Sequence, residues 1–238
     1  MRILWGLMLT AALSMPALAD EAQIRKVVEE RLGGVKVEGI QRGPLGLWEV
    51  RYRSGEGMRI VYTDATASHI ILGKIYETKG DKDLTEERLR KLNAIKFDSL
   101  PFAQAVKVQR GNGKRVLVMF SDPYCPYCKQ FEQTLQQVDD ITVYVFMFPV
   151  IKPDLADQSR AVWCSPDRQK AWLDLALRGK PPAAGASCEN PVEKNLELGH
   201  KLGVNSTPTL YLANGERIAG AMSPADLREM LDQVASSK

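Results

Sequence analysis

Hydrophobic and polar residues alternate in short runs through the first third of the chain, after one stretch with helical spacing. Residues 20–32 place Ile24 and Val28 on one helix face, and a pair of glycines ends the pattern. Turn residues then separate segments that predict β-strands, at residues 35–40, 47–53, 58–63 and 69–72. We therefore predict a small domain of residues 20–80, a helix on an antiparallel sheet. A unit of this size is marginally stable alone and gains from pairing with a second copy.

A second helical pattern follows a polar, glycine-containing break. Asp83 precedes Glu86 by three residues, as in a capping box, and apolar residues recur at helical spacing as far as Ile95. The helix has to end before Pro101, because the residue before a proline disfavours helical geometry. We interpret residues 81–100 as a linker helix between two domains.

The pattern changes again from residue 105 onwards, where strands and helices mix. Residues 141–148 are almost all apolar, as expected for a central strand that is buried on both faces. Residues 152–203 are mostly helical, and Asn214-Gly215 predicts the turn of a β-hairpin before a last helix that begins at Ser223-Pro224. The remaining strands are predicted at residues 105–109, 115–120, 209–213 and 216–220. We therefore predict an α/β (α+β) domain of residues 101–238 with a helical insertion.

The first nineteen residues have the pattern of a signal peptide. Arg2 precedes an apolar stretch, and Ala17-Leu18-Ala19 fits cleavage before Asp20. A membrane anchor is the alternative, but the apolar run is short, broken by Pro16 and followed by polar residues. We predict that residues 1–19 are removed and that the mature protein is exported to a compartment where disulfides persist.

Charge and cysteine content narrow the function further. The 238-residue chain has a formal net charge of +3 with basic and acidic residues interleaved, so we expect no nucleic-acid partner.

Four cysteines allow three pairings. Cys125 and Cys128 form one natural pair, which leaves Cys164 and Cys188 for a second bridge.

The pair Cys125-Pro126-Tyr127-Cys128 lies between a predicted strand and a predicted helix, the arrangement that thiol–disulfide exchange requires. At a helix N-terminus, unpaired amides and the helix dipole favour a thiolate. We predict that Cys125 is the nucleophile, with the more exposed sulfur, and that Cys128 is the resolving thiol.

Two other interpretations of these cysteines stay open. One is a purely structural disulfide, which the position between strand and helix disfavours. The other is a zinc site completed by Cys164 and Cys188, whose wide spacing is unlike that of zinc ligands. We predict no metal and no cofactor.

Several motifs together resemble the thioredoxin fold and, within it, the DsbC-type periplasmic disulfide isomerases. The resemblance covers essentially the whole mature chain. It rests on residues 120–128 (FSDPYCPYC), 161–164 (AVWC), 180–188, 198–204 (LGHKLGV) and 206–209 (STPT).

The resemblance implies a thioredoxin-like catalytic domain with a small cystatin-like N-terminal domain that forms a homodimer. It also implies a cis Pro208, with Thr207, Pro208 and Tyr127 contacting the substrate, although an ordinary trans proline is the alternative. Cys164 and Cys188 would form a structural disulfide, or alternatively a second redox centre. The implied partners are misfolded, disulfide-containing exported proteins and a membrane reductase of the DsbD type.

The dipeptide between the active-site cysteines departs from the best-known DsbC members, which have Gly-Tyr. Pro126-Tyr127 matches the related DsbG group, which typically lacks the second cysteine pair. The alternatives are therefore a DsbG-like reductase of oxidised single cysteines, a monomeric DsbA-like oxidase, and a chaperone that only binds unfolded chains. We expect a disulfide isomerase with associated chaperone activity.

Overall fold

The computed structural model describes residues 21–55, 57–80, 82–182 and 188–236. The predicted signal peptide, residues 1–19, lies outside them, as do residues 183–187 of the motif at 180–188. The chain divides into two compact units: one contains the residues up to Arg53 and Arg59–Ile75, and the other contains Ser54–Met58 and the residues from Tyr76 onwards. In the part of the chain described, no helix is both long and apolar enough to cross a lipid bilayer.

The N-terminal unit is a helix packed on an antiparallel sheet, as the hydrophobic pattern predicts. Ile24 and Val28 of the helix are fully buried and pack with Val37, Val50 and Val61 of the sheet. The strand order in the sheet is β1-β2-β3-β4. The elements are α1 (Glu21–Arg31), β1 (Val37–Arg42), β2 (Trp48–Ser54), β3 (Gly57–Thr63) and β4 (Ile70–Ile71).

From Tyr76 onwards, the second unit starts with a short hairpin that the sequence pattern did not predict, followed by a helix. The elements are β5 (Tyr76–Glu77), β6 (Lys82–Asp83) and α2 (Leu84–Leu92). Asp83 caps the helix by accepting a hydrogen bond from the Glu86 amide at 2.8 Å, as predicted.

The C-terminal end predicted for this helix is wrong, because the helix stops at Leu92 rather than continuing through Ile95. The amide of Ile95 instead donates to the Gly215 carbonyl at 2.9 Å. A Cβ at Gly215 would lie 2.0 Å from the Ile95 carbonyl oxygen, so only glycine permits this approach.

A five-stranded sheet with strand order β11-β10-β8-β9-β7 forms the centre of the second unit. β8 and β9 are parallel, whereas β7 pairs antiparallel with β9 and β10 pairs antiparallel with both β8 and β11. This mixed sheet agrees with the predicted α/β class. The strands are β7 (Val106–Arg110), β8 (Arg115–Ser121), β9 (Ile141–Met147), β10 (Thr209–Leu212) and β11 (Arg217–Ala219).

Helices cover both faces of this sheet. Leu117 and Met119 of β8 face a core that includes Phe131 and Leu135 of α3, whereas Val118 and Phe120 face the opposite core. The alternation along β8 therefore decides which side chains meet the helix that carries the cysteines. The helices are α3 (Pro126–Leu135), α4 (Ala156–Cys164), α5 (Arg168–Arg178), α6 (Val192–Lys201) and α7 (Pro224–Ser236).

A disulfide joins Cys164, the last residue of α4, to Cys188, 24 residues further along the chain. It closes a loop that contains α5. Since both sulfurs are used in this bond, neither is available as a thiolate ligand for zinc beside Cys125 and Cys128.

Candidate active site

Cys125 and Cys128 lie where β8 gives way to α3. Cys125 occupies the N-cap position of α3, Pro126 lies in the first turn, and Cys128 lies within the helix. The Cys125 carbonyl accepts the amide hydrogen of Lys129 at 3.0 Å, which begins the helical ladder. Both cysteines are free, so the site is in its dithiol form. The order of elements is a strand, the cysteine pair and a helix.

Both cysteines are more enclosed than the sequence suggests. As whole residues, Cys125 is 4% exposed and Cys128 is 1% exposed. The thiol of Cys125 donates a hydrogen bond to the Thr207 carbonyl at 3.2 Å. The neighbouring Tyr127 side chain is 65% exposed, so the outer surface of the site is formed by its ring.

The surroundings of Cys128 affect the protonation of its thiol. Burial raises the pKa of Cys128 to about 12, and the nearby Cys125 raises it further. The hydroxyls of Ser121 and Thr207 and the backbone of Asp122 act in the opposite direction, because they favour the thiolate. Cys128 is therefore protonated at neutral pH unless its surroundings change.

The segment before β10 lies against this pair. The peptide bond between Thr207 and Pro208 is cis, and Pro208 is buried. Thr209 pairs with Phe120, so this register brings Thr207 and Pro208 beside the end of β8. The Pro208 carbonyl accepts the Gly220 amide hydrogen at 2.9 Å, which fixes the segment to the chain after β11.

A cavity of about 640 Å³ opens beside Tyr127, the residue before Cys128. Tyr127 and Thr207, two of the three residues expected to contact the substrate, line it, and Met222 lies among the other lining residues. Backbone, hydroxyl and apolar groups thus share this surface, which suits contact with the main chain of varied substrates.

Asp122 is an important residue of this site that the sequence interpretation missed. Its carboxylate is fully buried and accepts hydrogen bonds from the backbone amides of Tyr124 at 2.8 Å and of Val150 and Ile151 at 2.7 Å. One side chain therefore ties the turn before Cys125 to the loop after β9. An aspartate followed by proline indicates a turn, but nothing in the sequence indicates its partners 28 residues away.

Glu132, one turn beyond Cys128, is a second buried carboxyl group that the sequence interpretation missed. Trp172 of α5 donates its indole hydrogen to Glu132 Oε1 at 2.6 Å, whereas Oε2 has no hydrogen-bond partner among the described residues. Burial raises the pKa of Glu132 to about 7, although the Trp172 hydrogen bond and the charge of Arg110 act in the opposite direction.

Replacing Glu132 with glutamine is expected to remove a pH dependence of stability. The pKa is raised from 4.5 to about 7 in the folded protein, so between these values the folded state holds a proton that the unfolded state releases. This contribution is fully present below pH 4.5 and lost as pH rises through about 7. It amounts to about 3 kcal/mol. Denaturant unfolding at several pH values measures it.

The control for Glu132→Gln is Glu197→Gln, which removes an exposed carboxylate from α6. The difference in unfolding free energy between wild type and Glu132→Gln is expected to change across this pH range, with the wild type losing stability as pH rises. A constant difference would contradict the buried, proton-holding carboxyl group.

Comparison with known proteins agrees with these observations. Residues 102–235 match the family described as a thioredoxin-like domain, and residues 15–86 match the one described as the disulfide bond isomerase protein N-terminal domain. The structure of a disulfide interchange protein from Neisseria gonorrhoeae is 41% identical with a TM-score of 0.54, covering 56% of this chain and 97% of that one.

Two curated relatives extend the match over most of the chain. The "Probable thiol:disulfide interchange protein DsbC" of Bordetella parapertussis is 38% identical over 90% of this chain and 76% of the relative. The thiol:disulfide interchange protein DsbC of Escherichia coli is 30% identical over 94% and 93% of the two chains.

The fold and the cysteine pair define a thioredoxin-like protein of the thiol–disulfide exchange class. Its N-terminal domain and its relatives place it more narrowly. The chain belongs to the DsbC family of thiol:disulfide interchange proteins.

Proposed function

We propose that this protein is a periplasmic disulfide isomerase that rearranges non-native disulfides in exported proteins through a reduced Cys125-Pro126-Tyr127-Cys128 site. The observation that carries the proposal is the position of the Cys125 sulfur. It lies at the start of α3, where negative charge is favoured, and 3.2 Å from the Thr207 carbonyl at the edge of the cavity.

In the proposed reaction, the Cys125 thiolate attacks one sulfur of a substrate disulfide. A bond between Cys125 and that sulfur forms, the substrate disulfide breaks, and the other substrate sulfur leaves as a thiolate. A further substrate thiolate then attacks the substrate sulfur of this mixed disulfide and expels the Cys125 thiolate. The substrate gains a different disulfide, and neither partner is oxidised or reduced overall.

Cys128 provides a second way out of the mixed disulfide. Its thiolate attacks the Cys125 sulfur, a disulfide forms between the two cysteines, and the substrate leaves reduced by two electrons. The oxidised site then requires a reductant, for which a membrane reductase of the DsbD type is the proposed partner. Isomerisation proceeds without this step, so the two routes are separable by experiment.

The remaining parts of the proposal concern binding. Thr207, Pro208 and Tyr127 would hold an extended substrate segment by its main chain. The disulfide between Cys164 and Cys188 would stabilise the helical insertion. Residues 1–19 would direct export to the periplasm.

The proposed homodimer is formed through the N-terminal domains. β4 is an edge strand of the N-terminal sheet, and the apolar side chains at this edge are exposed, Ile71 by 45% and Leu72 by 70%. Such an edge is suited to pairing with a second copy. A dimer would also support the associated chaperone activity that we propose.

The test is reactivation of a scrambled multi-disulfide substrate in a glutathione buffer. The wild-type protein is expected to restore native activity faster than the buffer alone. If it does not, the isomerase proposal fails. A DsbG-like reductase of oxidised cysteines, or a chaperone that only binds its clients, then becomes the better interpretation.

A further inference from the structure

Ser121 is the last residue of β8 and lies directly before the turn that leads to Cys125. Successive side chains on a strand point to opposite faces, so Ser121 shares a face with Leu117 and Met119. Both of those residues pack with Phe131 of α3, the helix that carries Cys128. Ser121 is fully buried, and its hydroxyl is near enough to the Cys128 thiol to lower the pKa of that thiol.

The Ser121 hydroxyl has no hydrogen-bond partner among the described residues, and neither has the Thr207 hydroxyl. A buried hydroxyl without a partner costs free energy, and native structures contain few of them. The register of β10 on β8 extends to place Pro208 opposite Ser121, so both hydroxyls lie at the same end of the sheet. A group at this place that becomes negatively charged would accept from both hydroxyls.

Cys128 is the group that acquires such a charge. It is a buried free thiol in the structure, and both hydroxyls lower its pKa, that of Ser121 more strongly than that of Thr207. A neutral thiol is a weak hydrogen-bonding group, whereas a thiolate accepts strong, charge-assisted hydrogen bonds. The thiolate of Cys128 is needed only when this residue attacks the Cys125 sulfur.

We propose that Ser121 is a catalytic residue of the resolving step, in which its hydroxyl donates a hydrogen bond to the Cys128 sulfur as the thiolate forms. This inference rests on the proposed function. The Cys128 thiol releases its proton to solvent, the bond from Cys128 to Cys125 forms, the bond from Cys125 to the substrate sulfur breaks, and the substrate leaves as a thiolate. Ser121 transfers no proton and stabilises the negative charge before it moves to the leaving sulfur.

Consequently, Ser121 controls which route the mixed disulfide takes. With the hydroxyl present, release of reduced substrate by Cys128 competes with rearrangement by the substrate's own thiol. Without it, the Cys128 thiolate is disfavoured and the mixed disulfide persists for longer. Isomerisation does not use the Cys128 thiolate, so it remains.

The test separates the two chemical steps in one experiment. The reduced protein is mixed rapidly with an aromatic disulfide that releases a coloured thiolate, dithiobis(nitrobenzoate). Attack by Cys125 releases the first equivalent, and attack by Cys128 on the mixed disulfide releases the second. Ser121→Ala is expected to leave the first phase unchanged and to slow the second about tenfold.

Stability distinguishes this role from a structural one. Because the hydroxyl has no partner in the dithiol form, Ser121→Ala is expected to unfold at the same denaturant concentration as wild type or at a higher one. Ser121→Thr and Ser121→Val form a second pair of nearly equal shape. Only the threonine variant is expected to retain a fast second phase.

Other outcomes overturn the inference. A second phase at the wild-type rate in Ser121→Ala and Ser121→Val would show that the hydroxyl does not act on Cys128. Equal slowing of both phases in every variant would show a structural role. Failure of the wild-type protein to reactivate a scrambled substrate would instead contradict the proposed function, whatever these phases show.

Discussion

Replacing Cys125 with serine is expected to reduce reactivation of a scrambled multi-disulfide substrate to the rate of the glutathione buffer alone. A serine hydroxyl remains protonated at neutral pH, so no sulfur nucleophile is left at the start of α3. Recovery of native enzyme activity by the substrate, followed over time, is the measurement.

Cys128→Ser is the matched control, because it removes a sulfur only one helical turn away. Rearrangement requires Cys125 alone, so this variant is expected to keep most of the reactivation and to accumulate mixed disulfides with the substrate. Suppression of aggregation of a client without cysteines is expected to be unchanged in both variants. Full reactivation by Cys125→Ser would contradict chemistry at Cys125 and favour binding alone.

The sequence predicted those features of the site that depend on neighbouring residues. The apolar run of β8 and the spacing of Phe131 and Leu135 in α3 place the cysteine pair between a strand and a helix, as the structure has it. Both patterns are local, and each is strong because one face of the element is buried in a continuous core. The fold class followed from the same patterns.

The buried polar groups around the cysteines could not be predicted in this way. The carboxylate of Asp122 acquires two of its partners from the loop after β9, and Glu132 meets Trp172 from α5, 40 residues further along the chain. Such contacts depend on the tertiary arrangement, on which hydrophobic periodicity carries no information. The predicted C-terminal end of α2 was wrong for the same reason: the helix stops at Leu92, and the Ile95 amide donates to the carbonyl of the distant Gly215.

Replacing Asp122 with alanine is expected to lower the free energy of unfolding by about 4 kcal/mol, since three buried or partly buried backbone amides lose their acceptor. The turn before Cys125 would also lose its tie to the loop after β9. We therefore expect slower reaction of Cys125 with a disulfide, even at temperatures where the variant is fully folded. Denaturant unfolding measures the first effect, and rapid mixing with an aromatic disulfide measures the second.

Asp122→Asn grades this effect, because a single amide oxygen can keep the Val150 and Ile151 hydrogen bonds only by turning its NH₂ group towards the Tyr124 amide. Its loss of stability is expected to lie between wild type and Asp122→Ala. Asp154→Ala removes an exposed carboxylate from the segment that follows this loop, and is expected to change neither quantity. Equal behaviour of Asp122→Ala and Asp154→Ala would mean that the buried carboxylate does not hold the turn. If Asp122→Ala loses stability but Cys125 reacts with the disulfide at the wild-type rate, Asp122 stabilises the fold and does not affect the reactivity of Cys125.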